Sequence, residues 1–488
     1  MLGFSEYLQN FMKTNSISMV ELSKETDIDR TVIYRYVKGT RIPSDMDTVA
    51  RIADAMQMSV SEKKYLLKEY DKLVFGKPMV YSYQYIKKLL RSLERPDRNT
   101  VSAKEQWKTV SKIKMDASII ELMTKEEIIT YILDLFRYVA ETGNASEKIF
   151  LVMQPVYDEI QRFIPQIFGQ CDIKLEQIVC MEQNINQSYK NLEAFYGILP
   201  LCFLLSEYDV YYYYDSLSNH LNTMTSMPNI LIVRDYVVQF DYEMEYGFVL
   251  KSDTYAVAMR RQYNKMRKES CSLLVRGNNT EQENDFIKQM DLQNGGCFFE
   301  QLCMGICLDR NILDRVISSE FEKEKYINLS EDMWENQNEK GFMDTEDTDK
   351  EFVSYGSLGS LDKFLKTGRL EEFPEMLYAP LSMDERLLVL ERMIDLAKRG
   401  QIHYRILSDN IELPEKIQIC WDSGRKRFAL NQITEKEILQ VVVEEQSIYR
   451  TFQLYLEYLE KKGLVLGESE SLACLVRLQK KYEKKYIL

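Results

Sequence analysis

At 488 residues the chain has room for about two to four domains, and 45% hydrophobic residues can build substantial cores, which excludes a disordered polymer. Its net charge of -13 has the wrong sign for a phosphate-coating protein until it is divided along the chain: residues 1–75 balance, residues 76–118 are basic by about six, and the remainder is acidic by about nineteen. Nine cysteines with no C-x-x-C pair argue for reduced thiols, no apolar run approaches the roughly eighteen residues that span a bilayer, and the N-terminus MLGFSEYLQN has no basic-then-apolar leader, so a cytoplasmic protein without membrane contact is expected.

Residues 4–14 are amphipathic and predict a first helix. The next stretch, SMVELSKETDIDRTVIYRYVKGTRIP at 18–43, predicts two short helices joined by a tight turn. Ser18 caps the first, over 19–26, with Leu22 and the small Ser23 facing the second; Asp27 sits in the turn, where a left-handed backbone is expected and Asp is tolerated. Asp29 caps the second, from Arg30 to Lys38, and Gly39 and Pro43 end it. At 3.6 residues per turn, Arg30, Thr31, Tyr34, Arg35 and Lys38 fall on one arc, and Val32, Ile33, Tyr36 and Val37 on the other. Arg forks bond guanine O6 and N7, Thr meets a thymine methyl and Lys neutralises phosphate, so the polar arc carries groove-reading chemistry.

On these residues the segment resembles the Cro/C1-type (XRE) helix-turn-helix family, with Ser18, Glu21, Leu22, Thr26, Ile28, Ile33, Arg35, Gly39, Arg41 and Pro43 matching its pattern over roughly residues 4–75. The resemblance implies an all-α, five-helix, lambda-repressor-like domain with double-stranded DNA as partner. Ser18, Arg30, Thr31, Tyr34, Arg35, Lys38 and Arg41 are then the DNA-binding residues. Three positions depart from the pattern: Met19 stands where the family usually has a phosphate-bonding Gln, Asp27 where it has Gly, and Asp29 where it has Ser.

Ser44, with Asp47 three residues on, predicts a cap for a fourth helix with Met46, Val49, Ala50, Ala53 and Met56 as its buried stripe, and Ser59 with Glu62 caps a fifth that runs to Phe75. Residues 76–118 predict a basic helical connector and a loop; Lys87, Lys88, Arg91, Arg95 and Arg98 are either phosphate contacts or a solvated face. Beyond it helix and strand alternate: helices over 128–140, 156–168, 186–205 and 254–269, and strands over 148–153, 173–181, 210–215, 229–233 and 236–241. The stretches SMPNILIVRDYVVQFD and ELPEKIQICWDSGRKRFAL share an order of Pro, strand, turn and strand, and a strand precedes each, VYYYYD and IHYRIL. This suggests an internal duplication across roughly 145–270 and 295–465.

That order is faintly similar to the duplicated phospholipase D-type fold, but its H-x-K-x-x-x-x-D motif is missing. His220 and His403 begin no such motif, and no G-x-G-x-x-G or Walker-type loop occurs. Cys297, Cys303 and Cys307 could set two thiols on one helix face, with metal or redox chemistry as one reading and buried packing as the other. Tyr81, Tyr83, Tyr85 and Tyr211 to Tyr214 are either a ligand wall or packing. Residues 330–351 predict an acidic surface loop, and 383–399 and 435–462 long amphipathic helices.

The expectation is a multidomain chain: a helix-turn-helix domain over 1–75, a connector over 76–118, and a large mixed α/β, helix-rich regulatory body in two subdomains, 119–275 and 276–488. The expected function is a sequence-specific DNA-binding transcriptional regulator, a homodimer because one reading helix spans few base pairs, with a sensor body for a small-molecule or peptide effector. No enzyme activity, cofactor or metal is expected. Two alternatives stand beside it: a peptide-pheromone-responsive regulator with a helical-repeat receptor body, and a DNA-targeted enzyme with a carboxylate-based site.

Overall fold

The computed structural model describes residues 3–93, 118–143, 147–155, 157–168, 173–205, 207–216, 226–277, 296–300, 302–317, 352–411 and 413–487. The chain divides into two units, residues 1–84 with 451–458, and residues 85–450 with 459–488.

The helices of the first unit are α1 (Phe4–Thr14), α2 (Met19–Thr26), α3 (Arg30–Val37), α4 (Met46–Ala55), α5 (Val60–Phe75) and the first turns of α6 (Lys77–Leu93). Local capping chemistry starts α2 to α5. Ser59 and Glu62 form a reciprocal capping box ahead of α5. The cap of α4 is Asp45 rather than the expected Ser44: its carboxylate accepts the Thr48 amide at 2.6 Å, and Ser44 donates its hydroxyl to that carboxylate at 2.6 Å. Asp45 wins because it lies one residue closer to the free amides and is charged.

The five N-terminal helices close on one apolar core in which Leu8, Leu22, Ile33, Val49, Ile52 and Leu66 are at most 1% exposed. A smaller cluster in the same unit joins Phe75, Met79, Val80 and Tyr83 to Leu454 and Tyr458. There the Tyr458 hydroxyl donates to Asp71 at 2.9 Å, and Lys72 forms a buried ion pair with Glu69 at 2.6 Å. The unit therefore includes a segment nearly four hundred residues away in sequence, which local patterning does not reveal.

The second unit carries two mixed sheets. The first is built from β1 (Ile119–Leu122), β2 (Lys148–Val152), β3 (Lys174–Glu182), β4 (Tyr208–Asp215), β5 (Asn229–Val233), β6 (Tyr236–Phe240), β7 (Gly247–Lys251) and β8 (Cys271–Ser272), in the order β1-β7-β6-β5-β2-β3-β4-β8. The second is built from β9 (Leu274–Gly277), β10 (Gly296–Phe299), β11 (Phe352–Gly356), β12 (His403–Ile406), β13 (Ile417–Asp422), β14 (Arg427–Ile433) and β15 (Ile438–Val443), in the order β12-β11-β10-β13-β14-β15-β9. Read from the opposite edge, the second repeats the first position for position apart from β8. Directions agree as well: β2, β3 and β4 run parallel as do β10, β11 and β12, and the remaining pairs are antiparallel.

Among the described residues, helices follow β2, β3 and β7 of the first sheet and the corresponding β10, β11 and β15 of the second. Between β1 and β2 lies α7 (Lys125–Thr142), between β2 and β3 α8 (Asp158–Phe168), between β3 and β4 α9 (Asn191–Leu204), and after β7 α10 (Asp253–Glu269). In the second set, α11 (Arg310–Val316) follows β10, α12 (Leu358–Thr367) and α13 (Met383–Lys398) follow β11, and α14 (Gln446–Lys461) follows β15; α15 (Glu468–Ile487) ends the chain. The central strand β3 is buried nearly throughout, so its polar residues are satisfied internally: Gln177 donates to the Met153 carbonyl at 2.7 Å and accepts from the Tyr208 hydroxyl at 2.6 Å.

Several expectations change. The helix expected over 435–462 is β15 followed by α14, because the β-branched run at Val441, Val442 and Val443 favours a pleated partner over a helix face. Cys297 lies in β10, Cys303 in the irregular segment after it and Cys307 at the end of a single 3-10 turn (Gly305–Cys307), so no α-helix face joins them. Arg95, Arg98, His220 and residues 330–351 lie outside the described residues. No described helix is long and apolar enough to cross a membrane.

Candidate nucleic-acid interface

Helix α2 begins where Ser18 accepts the Glu21 amide at 3.2 Å and Glu21 returns a bond to the Ser18 amide at 3.0 Å. It ends at Asp27, whose φ of 53° and ψ of 34° are left-handed, a conformation Asp tolerates better than most side chains. Ser23 then donates its hydroxyl to the Ile28 carbonyl at 2.6 Å and closes the turn. Asp29 accepts the Thr31 amide at 2.7 Å, and that bond holds its carboxyl below the usual range, so a full negative charge caps α3.

From that cap α3 is sided as its periodicity dictates. Ile33 is fully buried and Tyr36 and Val37 are 4% exposed, while Val32 is partly buried. Arg30, Thr31, Tyr34, Arg35 and Lys38 are exposed on the opposite side, Tyr34 at 48%. Gly39 follows with φ +70°, and a side chain there would also press on Ser5 Oγ at 3.2 Å. The turn beyond is fastened by the Thr40 amide to the Arg35 carbonyl at 3.0 Å and by the Tyr70 hydroxyl to the Pro43 carbonyl at 3.0 Å. Arg41 is exposed in that turn and Ser18 at the start of α2, so all seven expected residues are accessible.

Two exposed apolar neighbours were not foreseen, Val20 at 44% and Ile42 at 45%; an alternating hydrophobic letter beside a cap gives no sign of which way it faces. Met19 is partly buried against the helical core and therefore packs where a Gln would have reached outwards.

Five of the tyrosines singled out in the sequence have ring or hydroxyl partners within the protein. The Tyr81 ring carries Lys72 Nζ at 4.9 Å, Tyr83 packs on Tyr458 at 4.6 Å between centroids, and Tyr85 donates to Glu193 at 3.2 Å. Tyr211 lies under the Arg267 guanidinium at 4.6 Å, and Tyr214 donates to Glu445. Of the three cysteines singled out in the second sheet's region, Cys303 meets Glu300 and Glu372 rather than Cys297. Glu300 is close in sequence, but its pairing with Cys303 has no signature without Glu372, which is remote in sequence.

Residues 7–62 match the family model of the Cro/C1-type HTH DNA-binding domain. No curated protein matches the chain. Two solved structures are similar in part. One is the archaeal chromatin protein TrmBL2, described as showing a novel mode of DNA binding, at 9% identity over 55% of this chain and 92% of that one with a TM-score of 0.22. The other is the polyphosphate kinase of Porphyromonas gingivalis, at 11% identity over 70% of this chain with a TM-score of 0.21; the match spans 49% of the kinase.

Proposed function

We propose that the chain is a sequence-specific DNA-binding transcriptional regulator that acts in the cytoplasm as a homodimer and uses its large second unit for sensing and dimerisation. One observation carries the reading: within a segment matching a DNA-binding domain, α3 buries Ile33, Tyr36 and Val37 and leaves Arg30, Thr31, Tyr34, Arg35 and Lys38 open on the other side. In this reading Arg35 and Arg30 contact base edges, Thr31 and Tyr34 add apolar and hydroxyl contacts, and Lys38, Arg41 and the start of α2 at Ser18 hold phosphates. A single reading helix covers few base pairs, so useful selectivity implies two copies on a repeated site.

The repeated order of the two sheets supports a body that arose by duplication, with each half offering its own surface to an effector or a second copy. A helical-repeat receptor body would lack strands, whereas the described residues of this body form sheets of eight and seven strands. In the proposed reading the body regulates and does not catalyse.

Selection of bound duplexes from a random pool by the full chain, followed by equilibrium titration, tests the function. The expected outcome is a repeated motif bound at least about a thousandfold more tightly than random duplex. Equal binding of selected and random duplex, or a variant with Arg30, Arg35 and Lys38 changed to Ala that selects the same motif, overturns it.

A further inference from the structure

At the end of β10 the chain passes Glu300 and turns through Leu302 to Cys303, and the loop after α12 brings Glu372 against the same point. One carboxylate oxygen from each glutamate and Cys303 Sγ lie within 4.8 Å of one another. The site is built rather than accidental. Glu372 accepts the amides of Met304 and Gly305, the latter at 2.6 Å, and a side chain at Gly305 would occupy the position of that carboxylate. The Cys303 amide donates to Ser354 Oγ at 3.2 Å, which fixes the thiol's approach.

An independent sign of a missing partner is Glu300 Oε1. It belongs to a side chain 4% exposed that reaches into this cluster, and it has no hydrogen-bond partner. Among the described residues no Lys, Arg or His pairs with either glutamate; Arg392, on the neighbouring α13, is spent on the Cys307 carbonyl at 2.8 Å and on Asp309 at 2.5 Å. Burial first, and repulsion between these groups second, raises Glu300 and Cys303 well above their ordinary values, and burial raises Glu372 to about 7. A buried carboxyl, a buried thiol and the half-buried carboxyl of Glu372 are costly to ionise together without a countercharge, and a divalent cation is the smallest group that supplies one to all three.

We propose that Glu300, Cys303 and Glu372 bind one borderline-soft divalent transition-metal ion of the zinc class, with a solvent molecule or an external ligand in the fourth position. The donor set selects the ion. Thiolate excludes magnesium and calcium, which take oxygen alone, and two oxygens with one sulfur suit zinc, cobalt or ferrous iron. A tetrahedral ion at about 2.3 Å from sulfur and about 2.1 Å from oxygen holds its donors about 3.3–3.7 Å apart, which these side chains reach by closing inwards from within 4.8 Å. On binding, the protons held by the thiol and the carboxyls pass to solvent, and the ion takes their place. Glu372 is partly exposed, which gives the ion its approach. The proposal does not rest on the DNA-binding reading.

The full chain, stripped with a chelator and titrated with cobalt(II), tests it. A thiolate-to-cobalt charge-transfer absorption should rise and saturate at one ion per chain, with a higher melting temperature. Cys303→Ser should abolish the absorption, and Cys271→Ser, at an exposed thiol, should leave it intact. Glu300→Gln keeps the neutral shape of the protonated acid and so should fold; its cobalt affinity should fall by about a hundredfold or more. Absence of the absorption in the native chain overturns the site, as does its persistence in Cys303→Ser or an unchanged affinity in Glu300→Gln.

Discussion

Replacing Arg35 by Ala separates the proposed base reading from folding, because the two would depend on different atoms of the same residue. The backbone carbonyl of Arg35 accepts the Thr40 amide at 3.0 Å and the Arg41 amide at 3.3 Å, and Ala retains both bonds. Ala is also the better helix former, and the Arg35 side chain is exposed, so α3 should keep its place. Loss of a forked guanine contact costs about 1–3 kcal/mol, which corresponds to about a 5- to 150-fold rise in Kd. Fluorescence anisotropy over an operator and all its single-base variants should show that loss concentrated at one base pair of each half-site, where the variant no longer discriminates. A phosphate contact would behave differently, weakening every duplex alike and making the salt dependence shallower by about one charge. Unchanged affinity and discrimination in a variant with an unaltered urea midpoint would refute base reading by this helix.

Ile33→Ala, on the buried side of the same helix, should cost about 2–5 kcal/mol of stability, read as a lower urea midpoint; a neutral result would show that the face is not core. Tyr458→Phe removes one donor from buried Asp71 and should destabilise the first unit by about 1–3 kcal/mol, seen as faster hydrogen exchange in α5; unchanged exchange would mean the bond is idle. The Ser44 hydroxyl and then the Thr48 amide hold the Asp45 carboxyl at about 2, below its ordinary 3.8. A lowered acid contributes stability above its unfolded value and loses it as the pH falls through the folded one. The difference in α4 protection between the native chain and Asp45→Ala should therefore be constant near neutrality and shrink between pH 4 and pH 2, and a gap that stays constant to pH 2 would count against the cap.

The helix-turn-helix was legible because its signals act over three or four residues. Ser18 with Glu21, Asp29 with Thr31, and Ser59 with Glu62 are each a donor and an acceptor within a single turn, and the polar and apolar arcs of α3 need only the helical repeat. The cap at Asp45 was misplaced by one residue because adjacent Ser and Asp are both good caps, and only the position of the Thr48 amide chooses between them. The run over 438–443 was misread because a short apolar stretch suits a helix face or a strand equally until its neighbours are known, and β14 and β9 are those neighbours.

What letters in order determined here is therefore local: where helices start, which side of α3 is greasy, and which cations it leaves over. The repeated strand-turn-strand order suggested a duplication, but two features were decided by the folded chain alone: the seating of Tyr458 beside Asp71, and the meeting of Glu300 and Cys303 with Glu372. The reason is physical. A cap or an amphipathic stripe is settled by groups a few bonds apart, whereas these contacts join segments tens to hundreds of residues apart, and their partners are selected by burial and packing that no short window of sequence contains.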